Sequence, residues 1–115
     1  MARYTGLFIV AVSPDLLRQS LIEILQECHL DVIYDTGDYI MAREIPGEVP
    51  FGKLVTVEVL IDRPMDTPDE VRMNFVMKNE ELPLQLDNHC RQMFDSLSEA
   101  IAESNEWQLL ETAAG

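Results

Sequence analysis

Six consecutive residues, Leu7 to Val12, are apolar, and Ser13-Pro14-Asp15 follows them directly. No other stretch constrains the fold as much. An apolar run this short, closed by a helix start, reads as a strand buried on both faces. Ser13 suits a helix N-cap and Pro14 the first helical position. Asp15 suits the first turn, where a carboxylate meets the positive end of the helix dipole. The run sits at the lower length limit for the core of an export signal, and the helix start follows at once, so it is read as a strand.

The helix is expected to reach about Cys28. Leu17, Leu21, Ile24, Leu25 and Cys28 recur on one stripe, with Asp15, Gln19 and Glu23 opposite. "LDVIYDTGDYIMARE" reads as a hairpin with strands around Asp31–Tyr34 and Tyr39–Arg43. Asp35-Thr36-Gly37-Asp38 is its turn, and Gly37 is free to take a positive φ. "EIPGEVPFG" holds two prolines and two glycines and reads as a loop. "KLVTVEVLID" and "VRMNFVMK" both alternate. Val55, Val57, Val59 and Ile61 face inward on one, and Val71, Met73, Phe75 and Met77 on the other, an antiparallel pair.

A second helix is expected after Asp87, its N-cap, with Cys90, Met93, Phe94, Leu97 and Ile101 as the buried stripe. It should fade near Ser104. "EWQLLE" is a candidate terminal strand with Trp107 and Leu109 on one side, and "TAAG" is expected to fray. The order β-α-β-β-β-β-α, with or without that last strand, predicts one α+β domain over 1–115. It is a two-layer sandwich: a mostly antiparallel sheet of about five strands with two helices on one face. Residues 105–115 are expected to form a mobile or partner-docking tail.

Every cysteine and histidine falls in two adjacent pairs, Cys28-His29 and His89-Cys90. Zinc sites use four ligands delivered by spaced pairs, whereas helical neighbours diverge by about 100°. Both cysteines also fall on apolar stripes, where a free thiol behaves as a small hydrophobe. No metal and no cofactor are therefore expected. The two histidines read as ordinary boundary positions, and a Cys28–Cys90 redox pair is the lesser reading. Asp62, Asp66, Asp69 and Glu70 crowd a loop but lack the order of a calcium loop. No glycine-rich phosphate loop, nucleophile elbow or paired-histidine zinc motif marks a catalytic residue.

The chain carries 21 acidic and 8 basic residues, a net charge of −13. That charge opposes nucleic acid and anionic membranes as partners, and no apolar stretch approaches the ~20 residues of a membrane span. Two cysteines fit a reducing compartment, so the expected location is cytoplasmic.

Two features point to a protein partner or to self-association. Asp95, Glu99 and Glu103 recur at i, i+4 and i+8 opposite the apolar stripe, as a solvated face or as a docking face for a basic partner. Trp107 is a candidate anchor beside them. With both helices on one face, the all-apolar first strand has a second face with nothing over it, to which Leu54, Leu60 and Val76 add. A second copy, another subunit, the loop bearing Phe51 or the C-terminal segment would cover it. The expected function is thus a non-enzymatic, acidic, homodimeric interaction module: an adaptor, assembly factor or regulatory subunit. The alternatives are a small-ligand binder or minor enzyme with a groove lined by Met73, Phe75 and Met77, and a divalent-cation binder.

Overall fold

The computed structural model describes residues 1–64, 66, 69–82 and 88–114, with only the backbone of Pro14 and Asp15. Strand β1 (Ala2–Ala11) leads into helix α1 (Pro14–Glu27), the hairpin β2 (Leu30–Asp35) and β3 (Tyr39–Glu44), and then β4 (Thr56–Asp62) and β5 (Glu70–Asn79). Helix α2 (His89–Glu103) and strand β6 (Gln108–Ala114) close the chain. The strands form one six-stranded sheet, β2-β3-β4-β5-β1-β6, antiparallel throughout. Both helices pack on one face of it, the two-layer α+β arrangement expected from the sequence.

The core lies where period-2 and period-3.6 patterns meet. Val57, Val59 and Ile61 of β4 and Val71, Met73, Phe75 and Met77 of β5 point at the helices, and all are buried. Leu17, Leu21, Ile24 and Leu25 meet them from α1, and Cys90, Phe94, Leu97 and Ile101 from α2. Burying one such Leu, Ile or Phe contributes about 1.5–3 kcal/mol. Helix α2 approaches β1 closely at Gly6, where a Cβ would lie 3.0 Å from Phe94 Cζ, so alanine there would require the Phe94 ring to give way by a few tenths of an ångström.

Strand β1 departs from the reading of burial on both faces. Phe8 and Val10 are buried, while Leu7, Ile9 and Ala11 are only half-buried. The cause is the layer arrangement: neighbouring strands cover the edges of β1, and the helices cover one face only.

The helix ends differ from the expectations in detail. Ser13 occupies the N-cap of α1 but makes no side-chain cap bond; its carbonyl accepts from the Leu16 and Leu17 amides. Asn88 caps α2, its Oδ1 accepting the Arg91 amide at 2.7 Å. The cap thus falls one residue after Asp87, which lies outside the described residues. At the end of α1, His29 takes φ 67°, and its carbonyl accepts the Ile45 amide. That left-handed step turns the chain into β2. Gly37 has φ 95°, and its amide donates to Asp35 Oδ1 at 2.9 Å, a side-chain-closed hairpin turn.

Strand β6 continues through Ala114, where the sequence suggests a fraying end. Thr112, Ala113 and Ala114 pair with Phe8, Leu7 and Gly6. A bulge at Leu110 lets Leu109 face the core with Trp107 while Glu111 faces away. Phe51 is 81% exposed in a single 3-10 turn, Phe51–Lys53. It is not a lid on the sheet; the loop from Pro46 to Phe51 bounds a shallow cavity of its own. No helix among the described residues is long and apolar enough to cross a membrane.

Candidate functional site

Two regions hold side chains that the fold alone does not demand. The first is a buried polar cluster where the ends of β3 and β5 meet the start of α2. Glu44, Asn79, Glu81 and Asn88 are all buried there. Glu44 and Asn79 sit inward because they continue the alternation of the apolar residues before them, Ile40 and Ala42 in β3 and Phe75 and Met77 in β5. His89 Nε2 lies 2.8 and 2.9 Å from the two oxygens of Glu44. Oε1 of Glu44 also accepts the Val55 amide at 3.1 Å.

Glu81 lies beside that pair and closes the helix start. Its Oε2 accepts the His89 amide at 3.1 Å, and its Oε1 accepts the Cys90 amide at 2.9 Å and Asn79 Nδ2 at 2.6 Å. Asn79 Nδ2 also donates to the Lys53 carbonyl, and Asn88 Nδ2 donates to Tyr4 Oη. Burial alone would raise the carboxyl pKa of Glu81. The donors from Asn79, Cys90 and His89, with the His89 charge, outweigh it and hold the group below its ordinary value.

His89 is therefore not the ordinary boundary residue the sequence suggests. It ties α2 to a carboxylate on the far strand of the β3–β4 pair. Every buried side-chain nitrogen and oxygen among the described residues has a hydrogen-bond partner. The cluster anchors the helix N-terminus, and its fully buried side-chain nitrogens and oxygens are all hydrogen-bonded.

The cysteines are separated by environment. Cys90 is buried, and its thiol is pushed up to about 12 by burial and then by the Glu81 and Glu44 charges. Cys28, half-buried at the end of α1, is raised by burial and by Glu27. Both thiols are free. Among the described residues no three His, Cys, Asp or Glu side chains converge to hold a metal ion. Met73, Phe75 and Met77 are at most 1% exposed and belong to the continuous core.

Of the residues singled out for docking, Asp95, Glu99 and Glu103 share the exposed face of α2. Asp95 has Arg91 one turn before it, at 3.9 Å. Glu103 joins Glu23, Glu27 and Glu106 around a shallow cleft between the helices. Trp107 is not on that face. It is 7% exposed, packed in the core, and its Nε1 donates to the Ile101 carbonyl at 2.9 Å.

The second region is the helix-free face of the sheet. Register places Leu7, Asn74, Leu60 and Tyr39 in one cross-strand row. Thr5, Val76, Glu58 and Met41 form the next row, and Tyr34 continues it on β2 with its ring against Tyr39. Leu60 is 54% exposed at the centre. Towards one end lie Arg3, Lys78 and Arg43, with Asp31 beside Arg43. Towards the other lie Glu111, Asp62 and Glu70, with Arg72 across from Asp62. The apolar part of this surface, at Leu7, Leu60 and Val76, was visible in the strand patterns; the division of its charges needed the register.

No protein-family model matches the sequence, and comparison with curated proteins gives no match. Among solved structures, the chain is similar to one described as a conserved protein from Geobacillus kaustophilus. The two are 13% identical with a TM-score of 0.38, over 92% of this chain and 99% of that one.

Proposed function

We propose that this protein is a non-enzymatic interaction module of the cytoplasm, acting as an adaptor, assembly factor or regulatory subunit, and that it docks another polypeptide on the helix-free face of its sheet. One observation carries this: two adjacent cross-strand rows there are largely apolar, from Leu7 and Val76 to Tyr39 and Met41, around a Leu60 that is 54% exposed. Water-facing antiparallel sheets normally alternate apolar-in with polar-out. A sheet face this rich in apolar side chains, interrupted by Thr5, Asn74 and Glu58 and rimmed by charge, has the make-up of a docking surface.

The opposite side supports a second role. The exposed acids of α2, with Glu23 and Glu27 of α1, concentrate negative charge on the helical layer. Such a field speeds the approach of a basic partner more than it tightens the final complex.

The test is a pair of lysine substitutions, Leu60→Lys and Met41→Lys, which place charge in the apolar rows without touching the core. Association, measured by light scattering alone and with chains co-purified from the native host, should fall at least tenfold while the thermal midpoint holds. Association untouched by both substitutions, or its complete absence, would overturn the reading.

A further inference from the structure

The charges on the helix-free face are sorted by end. Arg3, Lys78 and Arg43 lie at one end of their strands, and Glu111, Asp62 and Glu70 lie towards the other, with the apolar rows between. Asp31 and Glu58, the latter 3.9 Å from Lys78, offset part of the basic end, and Arg72 offsets part of the acidic end, so the two ends keep opposite net signs. The loop after β4 adds Arg63 but also Asp66 and Asp69 beside the acidic end. The surface as a whole is close to neutral on a chain of net charge −13. Two copies meeting here therefore escape most of the repulsion their helical faces would impose.

From this arrangement we propose that the partner on this face is a second copy of the same chain, packed sheet to sheet about a two-fold axis. The axis lies in the plane of the interface and runs across the strands near Leu60. It reverses strand direction between the copies, so the basic end of each lies over the acidic end of the other. Both contacts are made at once, as an isologous interface requires. A rotation that left the ends unreversed would set basic on basic and acidic on acidic, and like charges across an interface select against that docking.

Size is consistent with the geometry. Five strands from β6 to β3, over the span from Arg3 to Ala11, cover roughly 24 by 30 Å, or about 700 Å² from each copy. Stable interfaces of standard size bury ~800 Å² per partner. Packed sheets of this kind approach to about 10 Å and cross at about 30°.

This inference rests on the proposed docking role of the sheet face, and a charge exchange tests it separately. Lys78→Glu with Arg43→Glu makes both ends of one variant acidic. Asp62→Lys with Glu70→Lys makes both ends of the other basic. Light scattering of the wild-type chain should give twice the monomer mass. Each variant alone should be monomeric, and an equimolar mixture should recover the doubled mass as a mixed dimer. High salt should weaken the mixed dimer. A wild-type chain that stays monomeric at 100-fold the concentration used for the variants overturns the two-copy proposal while leaving docking of a different polypeptide intact. A wild-type dimer that Leu60→Lys dissociates, but that neither charge variant weakens on its own, overturns the reversed-end register alone. A dimer unaffected by Leu60→Lys overturns both.

Discussion

His89 and Glu44 are 45 residues apart in the chain, yet the imidazole Nε2 sits 2.8 Å and 2.9 Å from the two carboxylate oxygens. Glu44 is 1% exposed and the His89 side chain 16%. A buried hydrogen-bonded pair of this kind adds little over a well-packed apolar pair, but removing one member strands the other without water. Among the described residues, His89→Ala leaves the Glu44 carboxylate with the Val55 amide as its hydrogen-bond donor. The loss should be about 2–3 kcal/mol, below the 3–5 of fully buried pairs because the imidazole edge reaches solvent. Urea unfolding should show a lower midpoint with an unchanged slope. The His89→Leu/Glu44→Leu double variant should lose less than the sum of the two single losses, with a coupling of about 1–3 kcal/mol. Strictly additive losses would mean that the contact contributes nothing.

The neighbouring Glu81 gives the fold an acid sensitivity. Its carboxyl is held below the ordinary 4.5, against its burial, by Asn79, the Cys90 and His89 amides and the His89 charge. A group depressed in the folded state contributes stability above its unfolded value, and that contribution is lost as pH falls through the folded value. Glu81→Gln should therefore be less stable than the parent at pH 7 by roughly 1–2 kcal/mol, the cost of weakened helix capping. The gap should narrow as pH drops below 4.5. Midpoints measured from pH 7 to pH 3 check this, and a gap constant with pH would refute it.

These two sites also show what sequence reasoning can and cannot reach. The layers, the inward face of each central strand and both helix stripes follow from periodicity because each is decided within a dozen residues. Glu44 and Asn79 were equally legible in principle. Each occupies the inward phase of its strand, after Ile40-Met41-Ala42 and after Phe75-Val76-Met77, so a polar partner for each had to exist. Which partner was not legible, because it depends on where α2 docks, some 45 residues after Glu44. The place of Trp107 was hidden for a similar reason. An aromatic beside "QLLE" reads the same whether its strand folds onto β1 or hangs free, and only the bulge at Leu110 turns it inward.

Thiol chemistry should separate the two cysteines. Cys90 is fully buried with its thiol at about 12, so almost no thiolate exists near neutrality. Cys28 is half-buried and also raised, by burial and by Glu27. Iodoacetamide at pH 8 should label Cys28 slowly, and Cys90 only when the fold opens, at least 100-fold more slowly. Peptide mass spectrometry over a time course in 0 and 6 M urea distinguishes them. Equal labelling of both in the folded protein would contradict the burial of Cys90.

The acids of α2 offer the last test, because their removal has opposite expected effects on stability and on encounter. Asp95, Glu99 and Glu103 follow one another at i, i+4 and i+8 on the exposed face. Like charges at that spacing destabilise a helix by about 0.2–0.5 kcal/mol per pair. Replacing all three by alanine also raises intrinsic helix propensity. Among the described residues the ion pair lost is that of Asp95 with Arg91, an exposed pair at 3.9 Å, of a kind contributing ~0–1 kcal/mol. The triple variant should therefore melt at or slightly above the parent temperature. If the acids steer a basic partner, its association with a basic probe polypeptide such as polylysine should slow about tenfold at low salt, while the difference vanishes near 0.5 M salt, where the Debye length is only ~4 Å. An unchanged association rate at low salt would leave the acidic face as solvated surface and nothing more.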